Sequence, residues 1–338
     1  MVQVNERILL SHGAGGGASQ RLIDDLFMSK LGNDLLLQKN DATILPALPG
    51  RIAMSTDSFV VQPLFFRGGN IGKLAVCGTV NDLAVQGAIP RYLSLGLIIE
   101  EGLAYVDLER IIDSIAETCS QAGVKIVTGD TKVVNKGQAD GVYINTTGLG
   151  YIPEGREISG SLAQPGDVVI INGNIGEHGM AVMSQRSGID WETDLQSDCA
   201  PLNGLIAEVF KVTTAVHVMR DPTRGGVATT LNEIAEQSGV GIKLNENSLP
   251  IPDTVQGACE MLGFDPLYVA NEGKVLIIVP AQVQEAVLAT LRQHSLGVNA
   301  VVIGEVVAEH PGTVTLKTNL GGERILDMLE GELLPRIC

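Results

Sequence analysis

The sequence predicts a protein of α/β class (α+β in its finer sense) built as two domains. Three observations predict it. At 338 residues the chain is too long for one ordinary core. Short apolar runs of strand type alternate with helical apolar spacing in both halves. Between residues 151 and 166 the pattern lapses, at Pro153, Gly155, Gly160, Pro165 and Gly166, which marks the boundary. The expected division is a glycine-rich arm and helix over 1–40, a first domain over 41–152, a second over 166–324, and a tail over 325–338. No close sequence repeat relates the two halves.

Hydrophobic residues make up 45% of the chain, enough for two packed cores, so disorder is excluded. A formal net charge of -16 argues against a nucleic-acid or anionic-membrane surface. An anionic ligand would need local help from metal ions, helix N-termini and backbone amides. The 40 glycines exceed average usage and cluster in short runs, as in loops that turn sharply or approach a ligand. The five cysteines are widely spaced, without a CxxC pair, which fits a reducing cytoplasm. There is no apolar leader in the first eleven residues and no apolar run of about 18 residues, so neither a signal peptide nor a membrane span is expected.

In chain order, Ser11-His12-Gly13-Ala14-Gly15-Gly16-Gly17 follows the apolar Ile8 to Leu10 and precedes a helix through Leu22, Ile23, Leu26 and Phe27, with Ser19 as its cap. Such a loop can wrap phosphates with its amides. It lacks the Lys-Ser/Thr of a P-loop, and a flexible arm reads equally well. Arg51 to Asp57 reads as a strand ending in Asp57, either a metal ligand or a turn residue. After a turn at Phe65 to Asn70, an apolar helix from Ile71 to Val85 contains Gly78-Thr79-Val80-Asn81-Asp82. A carboxylate with apolar flanks is costly to bury alone, so Asp82 is expected to have a basic partner or a cation.

Tyr92 to Ile99 is a strand, and Asp107 is expected to cap a helix closed by Gly123. Lys125 to Thr128 is a strand ending in Gly129-Asp130-Thr131-Lys132, a turn or a third strand-end carboxylate with a lysine beside it. Val142 to Gly150 closes the first half. The second half opens with the strand Asp167 to Asn172, then Gly176-Glu177-His178-Gly179 and a helix from Met180. Residues 190 to 202, with Trp191, read as a surface loop before a helix over Leu205 to Val212. His217 to Arg220 is a strand. Asp221-Pro222 then looks like an N-cap and N1 pair, while Arg224-Gly225-Gly226 suits an anion. Strands at Ile242 to Leu244, Val275 to Val279, Val301 and Val314 alternate with helices at Asp253 to Leu262 and Val283 to Leu291. Asn271-Glu272-Gly273-Lys274 immediately precedes the strongly apolar strand.

The chain ends Pro335-Arg336-Ile337-Cys338. A terminal thiol after a proline, beside a free carboxylate, is expected on a mobile tail where it can be chemically loaded. It is no prenylation site, which needs the cysteine fourth from the end. The plain alternative is a cysteine that happens to be last.

Together, Gly78-Thr79-Val80-Asn81-Asp82, Gly129-Asp130-Thr131-Lys132, Asp221-Pro222-Thr223-Arg224-Gly225-Gly226 and the terminal Pro-Arg-Ile-Cys resemble the HypE family of hydrogenase-maturation factors. That family belongs with the aminoimidazole ribonucleotide synthetases and selenophosphate synthetases, and the resemblance covers nearly the whole chain. It implies a PurM-like fold: an N-terminal ATP-binding domain that forms a β-barrel in a homodimer, a C-terminal α/β sandwich, and a flexible tail. It further implies that a carbamoyltransferase, HypF, loads the terminal cysteine with a carbamoyl group. An ATP-dependent dehydration then gives a thiocyanate, whose cyano group passes to iron on a HypC–HypD scaffold for [NiFe]-hydrogenase.

Carried onto this chain, the resemblance makes Cys338, Lys132, Glu272 and Arg224 the catalytic candidates. His12, Gly13, Gly15, Gly16, Asp57, Asn81, Asp82, Asp130 and Thr131 become the nucleotide candidates, and Asp57, Asp82 and Asp130 the Mg²⁺ ligands. The chemistry suits these types. An amide oxygen must be phosphorylated before it can leave, magnesium takes hard oxygen ligands, and a base must remove the N–H proton. Glu272 is the first choice of base, with His12 or His178 in reserve. Two departures from the family pattern stand out: Asn70 replaces a usual acid, with Arg67 before it in place of proline, and Glu177 replaces a usual aspartate. A selenophosphate-type synthetase is disfavoured because the first cysteine is Cys77. A non-catalytic thiol carrier would leave the Asp and Lys set unexplained.

Overall fold

The computed structural model describes residues 7–186, 194–331, 334 and 336–338. A short arm leads through α1 (Gly17–Leu22), a π-helical stretch and α2 (Ser29–Leu31). β1 (Arg51–Phe59) and the small hairpin β2 (Phe65–Phe66) and β3 (Gly69–Asn70) follow. Next come α3 (Ile71–Val85), β4 (Ile89–Glu100), α4 (Tyr105–Ala122), β5 (Lys125–Val134) and β6 (Val142–Ile152). The four long strands form one sheet in the order β1-β6-β4-β5, with only β4 and β5 parallel. α4 is the crossover that a parallel pair requires.

One face of this sheet carries α3 and α4. The stripe Leu108, Ile111, Ile112, Ile115 and Cys119 of α4 is buried, and Gly123 in the left-handed region closes the helix. Its N-cap is Ala104, and Asp107 sits inside the first turn, where its charge still complements the helix dipole. α3 is buried on all sides except at Lys73 and Asp82. A Cβ on Gly72 would stand 2.4 Å from the carbonyl oxygen of Ile111, so glycine is what lets α3 and α4 meet. The other face of the sheet is partly open to solvent. Ile52, Met54 and Ile98 lie exposed on it.

The second half runs β7 (Asp167–Ile171), α5 (Glu177–Arg186), α6 (Asn203–Val212), β8 (Val218–Arg220), α7 (Gly226–Ser238), β9 (Gly241–Asn245) and α8 (Asp253–Leu262). It ends with β10 (Leu276–Pro280), α9 (Gln284–Gln293), β11 (Val301–Val307), β12 (Val314–Lys317) and β13 (Glu323–Leu326). The strands make a sheet in the order β13-β12-β9-β11-β7-β10-β8, antiparallel except for β9 with β12. Adjacent strand residues point to opposite layers. Ile171, Leu276 and Ile278 pack under α7, while Ile170, Ile277 and Val279 meet α6 and α9. No helix among the described residues is long and apolar enough to cross a membrane.

Several local expectations are corrected. β1 and β5 run past Asp57 and Thr128, so Asp57 and Asp130 lie within strands and not at their ends. Both are edge strands, where polar side chains are tolerated. Asp221 does not cap α7; that helix starts at Gly226 after Gly225 at φ +77°. Ser19 lies inside α1, whose N-cap is Gly16, and ties the loop by accepting from Gly15 N and donating to Ser11 O. Residues 194–202 bury Leu195, Cys199 and Leu202 but leave Asp194 and Gln196 exposed, so the loop is only partly a surface one; Trp191 lies outside the described residues. The tail does not float free. β13 extends to Leu326, and Leu334 and Ile337 are buried.

Candidate active site

The site is organised on β1. Its side chains alternate, so Ser55 and Asp57 face α3 and Ser58 faces the open side. Ser55 Oγ donates to Asp82 Oδ2 at 2.6 Å, and the Asp57 and Asp82 carboxyls share a hydrogen bond. The loop before α7 brings Asp221 against them. Burial, then the charges of Asp221 and Asp57, push the Asp82 carboxyl up to about 8. Burial likewise lifts Asp221 to about 6. Glu272 is 3% exposed and well above its usual value, through burial first and then its neighbours Cys199, Asp221, Asp198 and Asp57. Of the two alternatives for Asp82, a basic partner is therefore not what the fold supplies.

On one side of this carboxyl cluster a cavity of about 330 Å³ is lined by Ser55, Asp82, Asp221 and Thr223. A second, of about 320 Å³, is lined by Ser58, Arg224, Gly225, Ile337 and Cys338. The tail enters it antiparallel to the segment after β1, with Arg336 in the left-handed region at φ +53°. Val60 N donates to Cys338 O and Gln62 N to Arg336 O, both at 3.2 Å, and Arg336 Nε donates to Val60 O at 3.0 Å. Arg336 also pairs with Asp140, and Arg186 donates to the carbonyls of Gln62 and Arg336. His178 is fully buried, and burial lowers its pKa. Its Nε2 lies 2.9 Å from Ile337 O and its Nδ1 2.8 Å from Ser197 Oγ. A carbonyl can only accept, so the proton sits on Nε2 and Ser197 donates to Nδ1.

The other cysteines are held as inert thiols. Cys119 and Cys259 are raised to about 12 by burial. Cys199 is buried, and its hydrogen bond with Cys77, then burial, raise it further. Cys338 alone of the five is not buried.

A third cavity, of about 370 Å³, lies at the far edge of the first sheet and brings His12, Gly13 and Gly15 together with Asp130, Thr131 and Lys132. A Cβ on Gly13 would stand 2.5 Å from Val133 N, so the arm hugs β5 at that point. His12 Nδ1 accepts from Leu9 N at 2.9 Å. Lys132 pairs with Asp130 at 2.8 Å in solvent, which with burial opposing holds the Asp130 carboxyl below its usual range.

Register places these sites relative to each other. Ser58, Asn145, Gly96 and Asp130 stand in one cross-strand row on the open face. Three strand spacings separate its ends, roughly 14 Å. Asp57, one residue before Ser58, points to the other face. Within one chain, then, Asp57 and Asp82 are together and Asp130 is apart from them, on the opposite side of the sheet. Asn81 is engaged elsewhere: Nδ2 donates to Ala200 O (3.1 Å) and Glu272 O (3.3 Å), and Oδ1 accepts from Leu202 N (2.7 Å). It staples the two halves together.

The AIR synthase related protein families match this chain, the N-terminal domain over residues 39–152 and the C-terminal domain over 164–317. A carbamoyl dehydratase HypE from Rhizobium leguminosarum bv. viciae is 52% identical over 335 residues, spanning 99% of this chain and 96% of the relative. The chain belongs to the HypE family of carbamoyl dehydratases. A crystal structure of the hydrogenase maturation protein HypE in complex with ATP superposes with a TM-score of 0.94 at 49% identity, covering 98% of this chain and 99% of that one. The HypE chain of a HypE–HypF complex matches with a TM-score of 0.80 at 49% identity, covering 90% and 99%.

Against the HypE pattern, both departures have a structural role here. Asn70 caps α3, accepting from Gly72 N at 2.8 Å and Lys73 N at 3.2 Å, while Nδ2 donates to Ser114. Glu177 accepts from Asn174 and pairs with Lys274 at 3.3 Å. Sequence reasoning missed Asp221, Ser55, Asp198 and Lys274 as site residues. Asp221 left one signal: two glycines five residues on delay the helix, so the aspartate before them is not needed as its cap.

Proposed function

We propose that this HypE-family chain dehydrates a carbamoyl group carried on its own Cys338, consuming ATP and leaving a thiocyanate for the iron of a [NiFe]-hydrogenase. The observation that carries this reading is the docked tail: Cys338 shares a cavity with Arg224, and Asp221, three residues before that arginine, belongs to the acids that crowd Asp82. In the balanced reaction the carbamoyl oxygen attacks the γ-phosphate and ADP departs. The phosphorylated oxygen then leaves as phosphate while both nitrogen protons are lost, and the C–N bond becomes triple.

Lys132, at the mouth of the arm cavity, is placed to hold the phosphates, and the arm's glycine amides approach the same space. Arg224, beside Gly225 at the start of α7, serves the departing phosphate or the tail carboxylate. Glu272, whose carboxyl is pushed well above its usual range by burial and then by its acidic neighbours, is the candidate base for the nitrogen proton. The donor set Asp57, Asp82 and Asp221 fits Mg²⁺, being all hard oxygen and crowded with like charge. Among the described residues no three such side chains enclose an ion by themselves, which suits magnesium's habit of keeping waters and phosphate oxygens as ligands. Bound there, it would neutralise charge on the transferring group.

Roughly 14 Å separates the two ends of the open face, so one copy does not close the site. A homodimer through that face, as the exposed Ile52, Met54 and Ile98 and the edge strands favour, would bring one copy's nucleotide cavity towards the other's tail. Asp130 then belongs with the nucleotide. HypF is the expected loading partner, in keeping with the HypE–HypF complex, and a HypC–HypD scaffold the expected acceptor. A cytoplasmic location suits five cysteines that form no disulfide.

The test is peptide mass mapping after incubation with the carbamoyltransferase, carbamoyl phosphate and ATP. The carbamoyl label is expected on Cys338 and loses one water only when ATP is present. Cys338→Ala should bind ATP and give no cyanated protein. A label on the Cys199 peptide with none on the last peptide overturns the reading.

A further inference from the structure

The half-buried stretch from Ser197 to Ala200 touches the loop that carries Glu272. Asp198 is at its centre, with a side chain 2% exposed. Its carboxylate accepts from Glu272 N at 3.1 Å, from Gly273 N at 3.2 Å and from Lys274 Nζ at 2.9 Å. The Glu272 carbonyl is held from the other side by Asn81 Nδ2 at 3.3 Å. A Cβ on Gly273 would stand 1.8 Å from the Asp198 carbonyl oxygen, so the loop is pressed directly onto this stretch. Burial alone would raise the Asp198 carboxyl; Lys274, His178 and the Glu272 N–H together outweigh it and hold the group below its usual range.

A buried ion pair is a poor source of stability, because desolvation consumes most of the attraction. Asp198 and Lys274 are therefore better explained by what they hold in place. We infer that Asp198 is a positioning residue for the dehydration, fixing the main chain on both sides of the Glu272 Cα so that the Glu272 carboxyl stands where the nitrogen proton is lost. The inference rests on the reading of Glu272 as the base. Its reach goes further than Glu272. Ser197, the residue before Asp198, bonds the imidazole that holds Ile337, so one short stretch holds both the docked tail and the loop of the base.

The experiment uses the full-length protein, carbamoylated on its tail, with ATP as the varied substrate. Asp198→Asn removes the charge and keeps the size. The double variant Asp198→Leu with Lys274→Met removes both charges of the pair and leaves Glu177 its contact with Asn174, so no lone lysine is left in the interior. Each is expected to lower kcat by about 10²-fold, the penalty for a misplacement near 1 Å, while KM for ATP changes by less than about threefold, since ATP is bound elsewhere. Glu272→Gln is run beside them. If Glu272→Gln loses activity and the double variant keeps wild-type kcat, Asp198 has no positioning role. If Glu272→Gln itself keeps wild-type kcat, it is the reading of the base that fails. Loss of folding in both Asp198 variants, read by circular dichroism, would make Asp198 a residue of the fold and also overturn the inference.

Discussion

Two acids on the same sheet, Asp57 and Asp130, look alike in the sequence, each a single aspartate in a polar interruption of an apolar run. The fold treats them in opposite ways. Asp57 faces α3 and joins Asp82 and Asp221 in a buried cluster whose shared charge is unfavourable, and Asp82 rises to about 8. Asp130 faces solvent with Lys132 beside it, and its carboxyl is lowered. The difference arises from strand alternation alone, since the two stand at opposite edges of one sheet and on opposite faces. It teaches that a carboxylate's chemistry is set by what shares its burial. In the function proposed above, the cluster would receive a cation, whereas the pair would meet an anion through its lysine.

The contrast can be broken most directly at Asp82. Asp82→Asn keeps the shape and the Ser55 contact while removing a ligand charge. Turnover of Mg-ATP is expected to fall about 10³-fold, at the upper end for loss of a preorganised charge in a closed site. Normal dehydration by a folded variant would take Asp82 out of the metal site. Next in size is Lys132→Ala. Charge redistributes over the transferring phosphoryl group, where a fixed cation helps most, so kcat should drop about 10²-fold with a smaller change in KM. A rise in KM alone would make Lys132 a ground-state ligand.

How far the sequence foretold this contrast depends on the length scale of each feature. Local periodicity was enough for α3, α4 and most strands, because each buries a continuous apolar stripe. The motifs around Asp82 and Lys132 were legible because a polar group in an apolar run needs a reason. What was not legible is long-range. Strand register, which parts Asp57 from Asp130, depends on pairings between residues 33 to 101 positions apart. Residues 194–202 read as polar surface because Asp198 is satisfied only by Lys274 and by amides of a loop over 70 positions later. The tail looked mobile because its partners, Val60, Gln62 and His178, lie still further away, 159 to 278 positions back in the sequence.

The raised pKa of Asp82 gives the comparison a sign that can be tested without turnover. A carboxyl whose folded pKa lies above its unfolded value favours folding fully below the unfolded pKa, near 4. That contribution is lost as pH rises through about 8. Metal-free protein should therefore lose thermal stability between about pH 4 and 8 from this group. Mg²⁺ should restore it more at pH 8 than at pH 5, by a few degrees in Tm. Asp130, whose pKa is lowered, would act with the opposite slope in the acid range. An equal Mg²⁺ shift at both pH values would mean that the cluster is not the magnesium site.

The smallest effect is expected at Asp130 itself. Its pair with Lys132 is about two-thirds exposed, with side chains at 70% and 63%, so solvent screens most of the attraction. Asp130→Asn should change stability by no more than about 0.5 kcal/mol. For activity the substitution has two opposing consequences. Lys132 loses its competitor and becomes freer to meet phosphate, which favours ATP. Any magnesium accompanying the nucleotide loses one oxygen donor of full charge, which disfavours it. These nearly cancel if Asp130 serves only to hold Lys132, and steady-state kinetics should then show kcat and KM each within about threefold of wild type. A loss as large as that of Asp82→Asn would instead mean that Asp130 ligates the metal directly. Since the two aspartates stand apart within one chain, that result would require the Asp130 of a second copy to reach the cluster. Mixing inactive Asp130→Asn with inactive Asp82→Asn protein would then distinguish the cases. With the two acids drawn from different copies, a mixed dimer still contains one intact site and regains activity. With both drawn from the same copy, no dimer contains an intact site and none returns.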